Sequence, residues 1–225
     1  MRIAALVLLV VLTPNASAQD STCYGTTSNG RLEKGVKLPG SGPNYVSYGN
    51  LPELVGRTYV HSKVRDVIVD AYRMLETQQP GKVFKYAETG FEEGGQFKPH
   101  KTHRNGLSVD FMVPVMDKAG RSVHLPTNAL NKYGYNINFD SAGRYGEYHI
   151  DYEALGAHIV SLHRAAQNHG IGIRRVLFDP QLQPMLYETS FGDYIKRNVK
   201  IPTKRSWVRH DEHYHVDFIV ECRPM

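Results

Sequence analysis

Cysteine is nearly missing from this sequence: Cys23 and Cys222 stand alone in 225 residues. Two cysteines at opposite ends cannot build a Cys-rich structural zinc site, and neither has a His or a second Cys at metal-ligand spacing. Tryptophan is scarcer still, with Trp207 alone against fourteen tyrosines. Long apolar runs are also lacking. The run Ile3–Leu12 has about ten residues where a bilayer core needs about twenty, so no segment reads as a membrane span. There are no clustered basic blocks. The formal charge of +5, from 27 Lys and Arg against 22 Asp and Glu, favours anionic partners without the footprint of a dedicated nucleic-acid binder. No repeat, low-complexity tract or linker occurs, and the composition excludes disorder, collagen and coiled coil. No Gly-x-Ser-x-Gly elbow is present, which leaves a serine nucleophile without support.

What is present begins with a leader. Arg2 precedes the apolar run, and Ala16-Ser17-Ala18 has the small-x-small form of a signal-peptidase site. Residues 1–18 therefore read as a secretory signal, and 19–225 as one domain with a formal charge of about +4. In the oxidising compartment that export implies, a Cys23–Cys222 disulfide would close a loop around almost the whole chain, with about 4–5 kcal/mol of stabilisation in the chain-entropy model.

Residues 19–49 are rich in Gly, Ser, Thr, Asn and Pro and predict an extended, loop-rich lead-in. Val64, Val67, Ile68, Ala71, Tyr72 and Leu75 recur at helical steps over 62–78, and Pro80-Gly81 ends that helix. A second helix is predicted over 152–169, its stripe formed by Ala154, Leu155, His158, Ile159, Leu162 and Ala166, with Gly170 as its stop. His158 and His163 read as packing or surface residues rather than ligands. Strands are predicted over 82–87, 107–115, 174–178 and 213–221, and a helical turn over 184–187. Strands and two helices without regular βαβ alternation indicate an α+β fold, a small antiparallel sheet with flanking helices.

The functional signal lies in histidine. Of eleven, five fall in two clusters, His100-Lys101-Thr102-His103…Gly106…Asp110 and His210-Asp211-Glu212-His213-Tyr214-His215. Catalytic zinc commonly takes three imidazole or carboxylate ligands and keeps a fourth position open, and His103, Asp110 and His215 can supply that set. Gly106 permits the bend that returns His103 beside Asp110. His213 and His215, two apart on a strand, share one face, so one can bind metal while its neighbour faces the same pocket. Asp217 continues that face and is placed either to orient a ligand histidine or to sit solvated at the strand end. A metal with an open position activates water and polarises a carbonyl, as amide hydrolysis requires.

The pattern His-(six residues)-Asp followed far downstream by His-x-His resembles the LAS metallopeptidases, which include lysostaphin-type peptidases and D-Ala-D-Ala carboxypeptidases. Within that group the chain is most similar to the penicillin-insensitive murein endopeptidases. The likeness is carried by Gly94-Gly95-Gln96-Phe97 leading into His100, His103, Gly106 and Asp110, by Trp207-Val208-Arg209-His210 before His213-Tyr214-His215, and by Cys222. It departs in the Tyr- and Gly-rich stretch 132–151. The resemblance implies a periplasmic enzyme with one Zn²⁺ per chain that cuts peptide cross-links of peptidoglycan. It implies His103, Asp110 and His215 as zinc ligands, His213 as base or transition-state stabiliser, and His210 and His100 as accessory active-site groups. The mechanism expected from this set has His213 help deprotonate the zinc-bound water and His210 and His213, as the catalytic pair, stabilise the oxyanion. With no acylated serine, β-lactams would not trap such an enzyme.

Two other classes compete. A zinc- or wall-binding module without catalysis would share the cluster, and a metal-dependent nuclease would suit the positive charge, with His149 and Asp151 as a possible second metal site. Tyr133, Tyr135, Tyr145 and Tyr148 are candidate stacking surfaces near the cleft, although core packing or loop covering suits most of them better.

Overall fold

The computed structural model describes residues 20–225, so the expected leader 1–18 lies outside the described residues. The chain opens with a hairpin of β1 (Thr22–Thr26) and β2 (Asn29–Glu33) and continues through β3 (Val36–Lys37), β4 (Tyr45–Ser47), the short helix α1 (Asn50–Leu54) and β5 (Tyr59–Val60). The long helix α2 (Ser62–Gln78) leads to β6 (Phe84–Tyr86), β7 (Ser108–Met112), β8 (Val115–Met116) and β9 (Ser122–Val123). A 3-10 segment at Ala129–Gly134 and the hairpin β10 (Arg144–Tyr145) and β11 (Tyr148–Ile150) precede α3 (Tyr152–Asn168). The chain ends through β12 (Gly172–Leu177), α4 (Gln183–Tyr187), α5 (Gly192–Asn198) and β13 (His213–Ile219).

The fold is α+β, as the sequence predicts. Its central sheet has the order β12-β13-β7-β6-β4. Its pairings are antiparallel except at the edge, where β4 joins β6 in parallel. In the centre Asp110 stands opposite His215, Phe111 opposite Tyr214 and Val109 opposite Val216. Strand alternation therefore separates two faces. One carries Val109, Phe111, Tyr214 and Val216 into a buried core shared with the stripes of α2 and α3. The other carries Asp110, His213, His215 and Asp217.

The six predicted apolar positions of α2 are all buried, and His61 caps its start by accepting from the Lys63 amide at 3.2 Å. Asp151 caps α3 through the Ala154 amide at 3.0 Å, and Gly170 follows it with φ +66°. The predicted stripe of α3 is buried too, but so are Gly156, Ala157, Val160, Ser161 and Ala165. Contacts of α4 and α5 with α3 account for this wider burial.

The lead-in is more ordered than expected. Its Gly- and Thr-rich composition hides a hairpin of two five-residue strands that also meets the far end of the chain: the Gly25 amide donates to the Arg223 carbonyl and the Arg223 amide to the Cys23 carbonyl, around the Cys23–Cys222 disulfide. The predicted strand 107–115 is interrupted at Pro114, after which β8 joins a different sheet.

Candidate active site

Five histidines and their carboxylates converge on the face of β7 and β13 opposite the helices. His100, Asp110, Tyr135, His210, His213 and His215 line a cleft of about 1020 Å³, and His103 lies fully buried against Asp110. Asp110 is fully buried and central. Its Oδ1 lies 2.7 Å from His215 Nδ1 and 3.3 Å from His103 Nε2. Its Oδ2 accepts from the Tyr135 hydroxyl at 2.8 Å and lies 3.8 Å from His213 Nε2 and 3.9 Å from His100 Nδ1.

His103 reaches this point through a loop that the rest of the chain pins down. Gly106 has φ +76°, and a Cβ there would come within 2.7 Å of the His61 amide nitrogen, so the bend needs glycine. His103 itself adopts φ +67°, an uncommon conformation for a side-chain-bearing residue. The strain is held by backbone hydrogen bonds from Arg104 to Thr27 and from Gly95 to Arg104, and by Phe97 stacked on the imidazole with centroids 5.5 Å apart. His103 Nδ1 donates to the Thr89 carbonyl at 2.9 Å. That tautomer leaves a lone pair on Nε2, a buried atom that no hydrogen bond reaches among the described residues.

Two electron-rich atoms, His103 Nε2 and Asp110 Oδ1, thus face each other without a proton between them, an arrangement that a cation satisfies. His100, His103 and Asp110 also offer three ligand atoms within 4.8 Å of one another. The residues present fit a metal ion.

The family model described as penicillin-insensitive murein endopeptidase matches residues 23–224. The chain belongs to this family. No curated protein matches it. Family membership makes the chain a murein endopeptidase and a metallopeptidase, and the His/Asp cluster supplies the metal-binding groups that such an enzyme requires.

In this murein endopeptidase all six expected site residues meet in one place: His103, Asp110 and His215 in contact, with His213, His210 and His100 around them. The rings of His210 and His213 lie 4.8 Å apart, and those of His103 and His215 also 4.8 Å. Burial alone would raise the Asp110 carboxyl, but the histidines gathered around it outweigh burial and hold the group well below the usual range. Burial lowers His103, which favours the neutral imidazole that a metal requires. Burial also works against charge on His215, yet Asp217 and Asp110 outweigh it and push the ring up to about 9. Asp217 takes the orienting position open to it in sequence: its Oδ1 lies 2.9 Å from His215 Nε2 and accepts from the Ser108 hydroxyl at 2.7 Å, while Arg175 holds Oδ2 at 2.7 Å.

Three partners escape sequence reasoning. Glu212 Oε1 accepts from His213 Nδ1 at 2.7 Å, Glu88 binds both His100 and Arg57, and Tyr135, in sequence a candidate for stacking or packing only, gives its hydroxyl to Asp110. Glu212 adjoins His213 in the chain, so the pair is legible in principle. Glu88 and Tyr135 are brought in from remote loops and leave no local signal. The proposed second metal site is not formed: Asp151 is engaged in capping α3 and pairing with Lys82 Nζ at 2.5 Å.

Proposed function

We propose that the cleft holds one zinc ion through His103 Nε2, Asp110 and His215 Nδ1 and hydrolyses the peptide cross-links of peptidoglycan. The observation that carries this reading is the convergence of both imidazole nitrogens on one oxygen, Asp110 Oδ1, at 3.3 and 2.7 Å. His100 approaches only the other oxygen, at 3.9 Å, with its Nε2 occupied by Glu88, which suits an accessory role. A zinc ion with three protein ligands lowers the pKa of a water toward ~7 and polarises the scissile carbonyl.

His213 is the fitted base. Its Nδ1–H donates to Glu212, so Nε2 carries the lone pair and faces the cluster. Burial opposes protonation of His213, but Glu212 and Asp110 outweigh it and raise the ring, which favours taking a proton from water. Once protonated, the same nitrogen can donate to the developing oxyanion or the leaving amine. His210 differs: its Nδ1 donates to the Val208 carbonyl at 3.0 Å, and burial followed by the neighbouring His213 and His215 lowers it to about 3. It therefore presents an acceptor and serves to orient water or a substrate N–H, rather than to donate to the oxyanion.

The Cys23–Cys222 disulfide and the family's wall substrate support a periplasmic location. No helix among the described residues is long and apolar enough to cross a membrane.

The test is mass spectrometry of purified cross-linked muropeptides incubated with the mature protein. Conversion of dimers to monomers is expected, lost on zinc removal and restored by zinc, with product masses identifying the bond. Absence of conversion by protein carrying one zinc per chain would favour a non-catalytic wall-binding module.

A further inference from the structure

The mouth of the cleft differs in charge from its floor. Its lining includes Lys98, Lys101, Lys132, Lys204 and Arg205, all exposed, and none forms an ion pair with a carboxylate among the described residues. The carboxylates that line the same cleft, Glu88, Asp110, Asp211 and Glu212, are buried and already bound to histidine, arginine or backbone partners. The cations are thus left without protein counter-charge where a ligand must enter, which attracts anions and raises their local concentration.

The placement of these cations is not diffuse. Lys98 and Lys101 flank His100 on the loop between β6 and β7, and Lys204 and Arg205 precede His210 on the connection into β13. The two loops meet over the cleft where Lys101 Nζ lies 5.2 Å from the centre of the Trp207 ring. Trp207 is the chain's single tryptophan and is 57% exposed. A large aromatic surface left in water beside unpaired cations, at the entrance to a buried reaction centre, suits a ligand that is both carboxylate-bearing and partly apolar.

We propose that Lys98, Lys101, Lys204, Arg205 and Trp207 form a subsite for the free carboxylates of a peptide strand, so that the enzyme selects acidic stem peptides over the same peptides carrying carboxamides. This rests on the endopeptidase reading above and deepens it.

The test compares two cross-linked peptide dimers of identical backbone, one with free side and terminal carboxylates and one with those groups amidated, on the zinc-loaded mature protein. Amidation is expected to raise KM about tenfold with a smaller effect on kcat, as loss of a charge-assisted contact would. The double variants Lys204→Gln/Arg205→Gln and Lys98→Gln/Lys101→Gln are each expected to raise KM for the acidic dimer and to narrow its advantage over the amidated one. A binding readout independent of turnover comes from Trp207 fluorescence, titrated with an uncross-linked acidic stem peptide. A saturable change with the acidic peptide, absent with its amide, is expected. Equal KM for both dimers in an enzyme that cleaves both would overturn the subsite. If neither dimer is cleaved, the endopeptidase reading fails, and the fluorescence titration alone decides the subsite: discrimination upholds it, and equal response or none overturns it.

Discussion

His158 and His215 are both buried, 1% and 3% exposed, and the central sheet lies between them. His158 sits on α3 among Tyr72, Phe84 and Phe111, with its Nδ1 against the Tyr214 hydroxyl and no carboxylate in contact among the described residues. Burial lowers it to about 3, so it is a neutral packing group. His215, on the opposite face of the strand that carries Tyr214, is flanked by Asp110 and Asp217 and is raised to about 9. In the zinc-free protein the same residue type at similar burial is pushed in opposite directions, because strand alternation gives one an aromatic cage and the other two carboxylates. Burial fixes where a histidine sits, and its partners decide what it can do.

The largest effect should come from removing each histidine in turn. His215→Ala is expected to lower hydrolysis of cross-linked muropeptides by at least ~10³-fold and to reduce zinc, counted by elemental mass spectrometry, from about one per chain to near zero. His158→Phe preserves the aromatic shape and should keep zinc and activity within about twofold, while losing about 1–2 kcal/mol of stability because the Tyr214 hydroxyl loses its buried acceptor. Zinc loss in His158→Phe, or full zinc in His215→Ala, would break the contrast.

The two rings should also tilt the stability of zinc-free protein in opposite directions with pH. An ordinary histidine titrates near ~6.5. His158 is depressed in the fold, so the unfolded chain binds its proton first. Its contribution is present above pH ~6.5 and is lost as pH falls toward 3, to a limit on the order of 5 kcal/mol. His215 is raised, so its contribution is present below pH ~6.5 and is lost as pH climbs through about 9. Denaturant unfolding from pH 4 to 10 should show a shallower acid limb in His158→Phe and a shallower alkaline limb in His215→Ala. Parallel curves for both variants and wild type would show that neither ring is coupled to folding as the geometry implies.

The helix-packed face was largely legible in sequence because its signals are local. Apolar periodicity marked α2 and α3, and period-two alternation marked β7 and β13. The five-histidine site was legible for a different reason: His103 with Asp110, and His213 with His215, are close in sequence and lie on one strand or the loop before it. What was not legible depends on remote pairing. The C-terminal segment docks beside β1 from the far end of the chain, α5 lacks a long apolar stripe, and Glu88 and Tyr135 arrive from loops whose composition carries no such signal. The face of Asp217 was readable, but not its contact with Arg175 from the neighbouring strand.

The base sharpens the same comparison at the next scale of effect. His213 resembles His215 in having a carboxylate behind one nitrogen, here Glu212, adjacent in the chain. Glu212→Gln removes the charge and keeps the shape. The expected result is a fall in kcat of about 10²-fold, at the low end for general acid–base catalysis, with KM little changed. Glu212→Asp, which restores a carboxylate on a shorter stem, should recover part of the loss. An unchanged kcat in Glu212→Gln would make the pair a packing contact, as His158 and Tyr214 are.

The smallest expected effect tests whether two carboxylates around His215 act separately. Asp217→Asn keeps an acceptor for His215 Nε2–H and for Ser108 but removes the charge that Arg175 also holds. A carboxylate behind a metal-bound imidazole fixes its tautomer and raises its basicity, and its loss typically weakens metal binding by about 10–100-fold. Competition with a chelator should show that loss for zinc, and activity at saturating zinc should fall less, because Asp110 and His103 still define the site. If Asp217→Asn holds zinc as tightly as wild type, Asp110 alone sets the state of His215. The difference from His158 would then rest on one carboxylate rather than two.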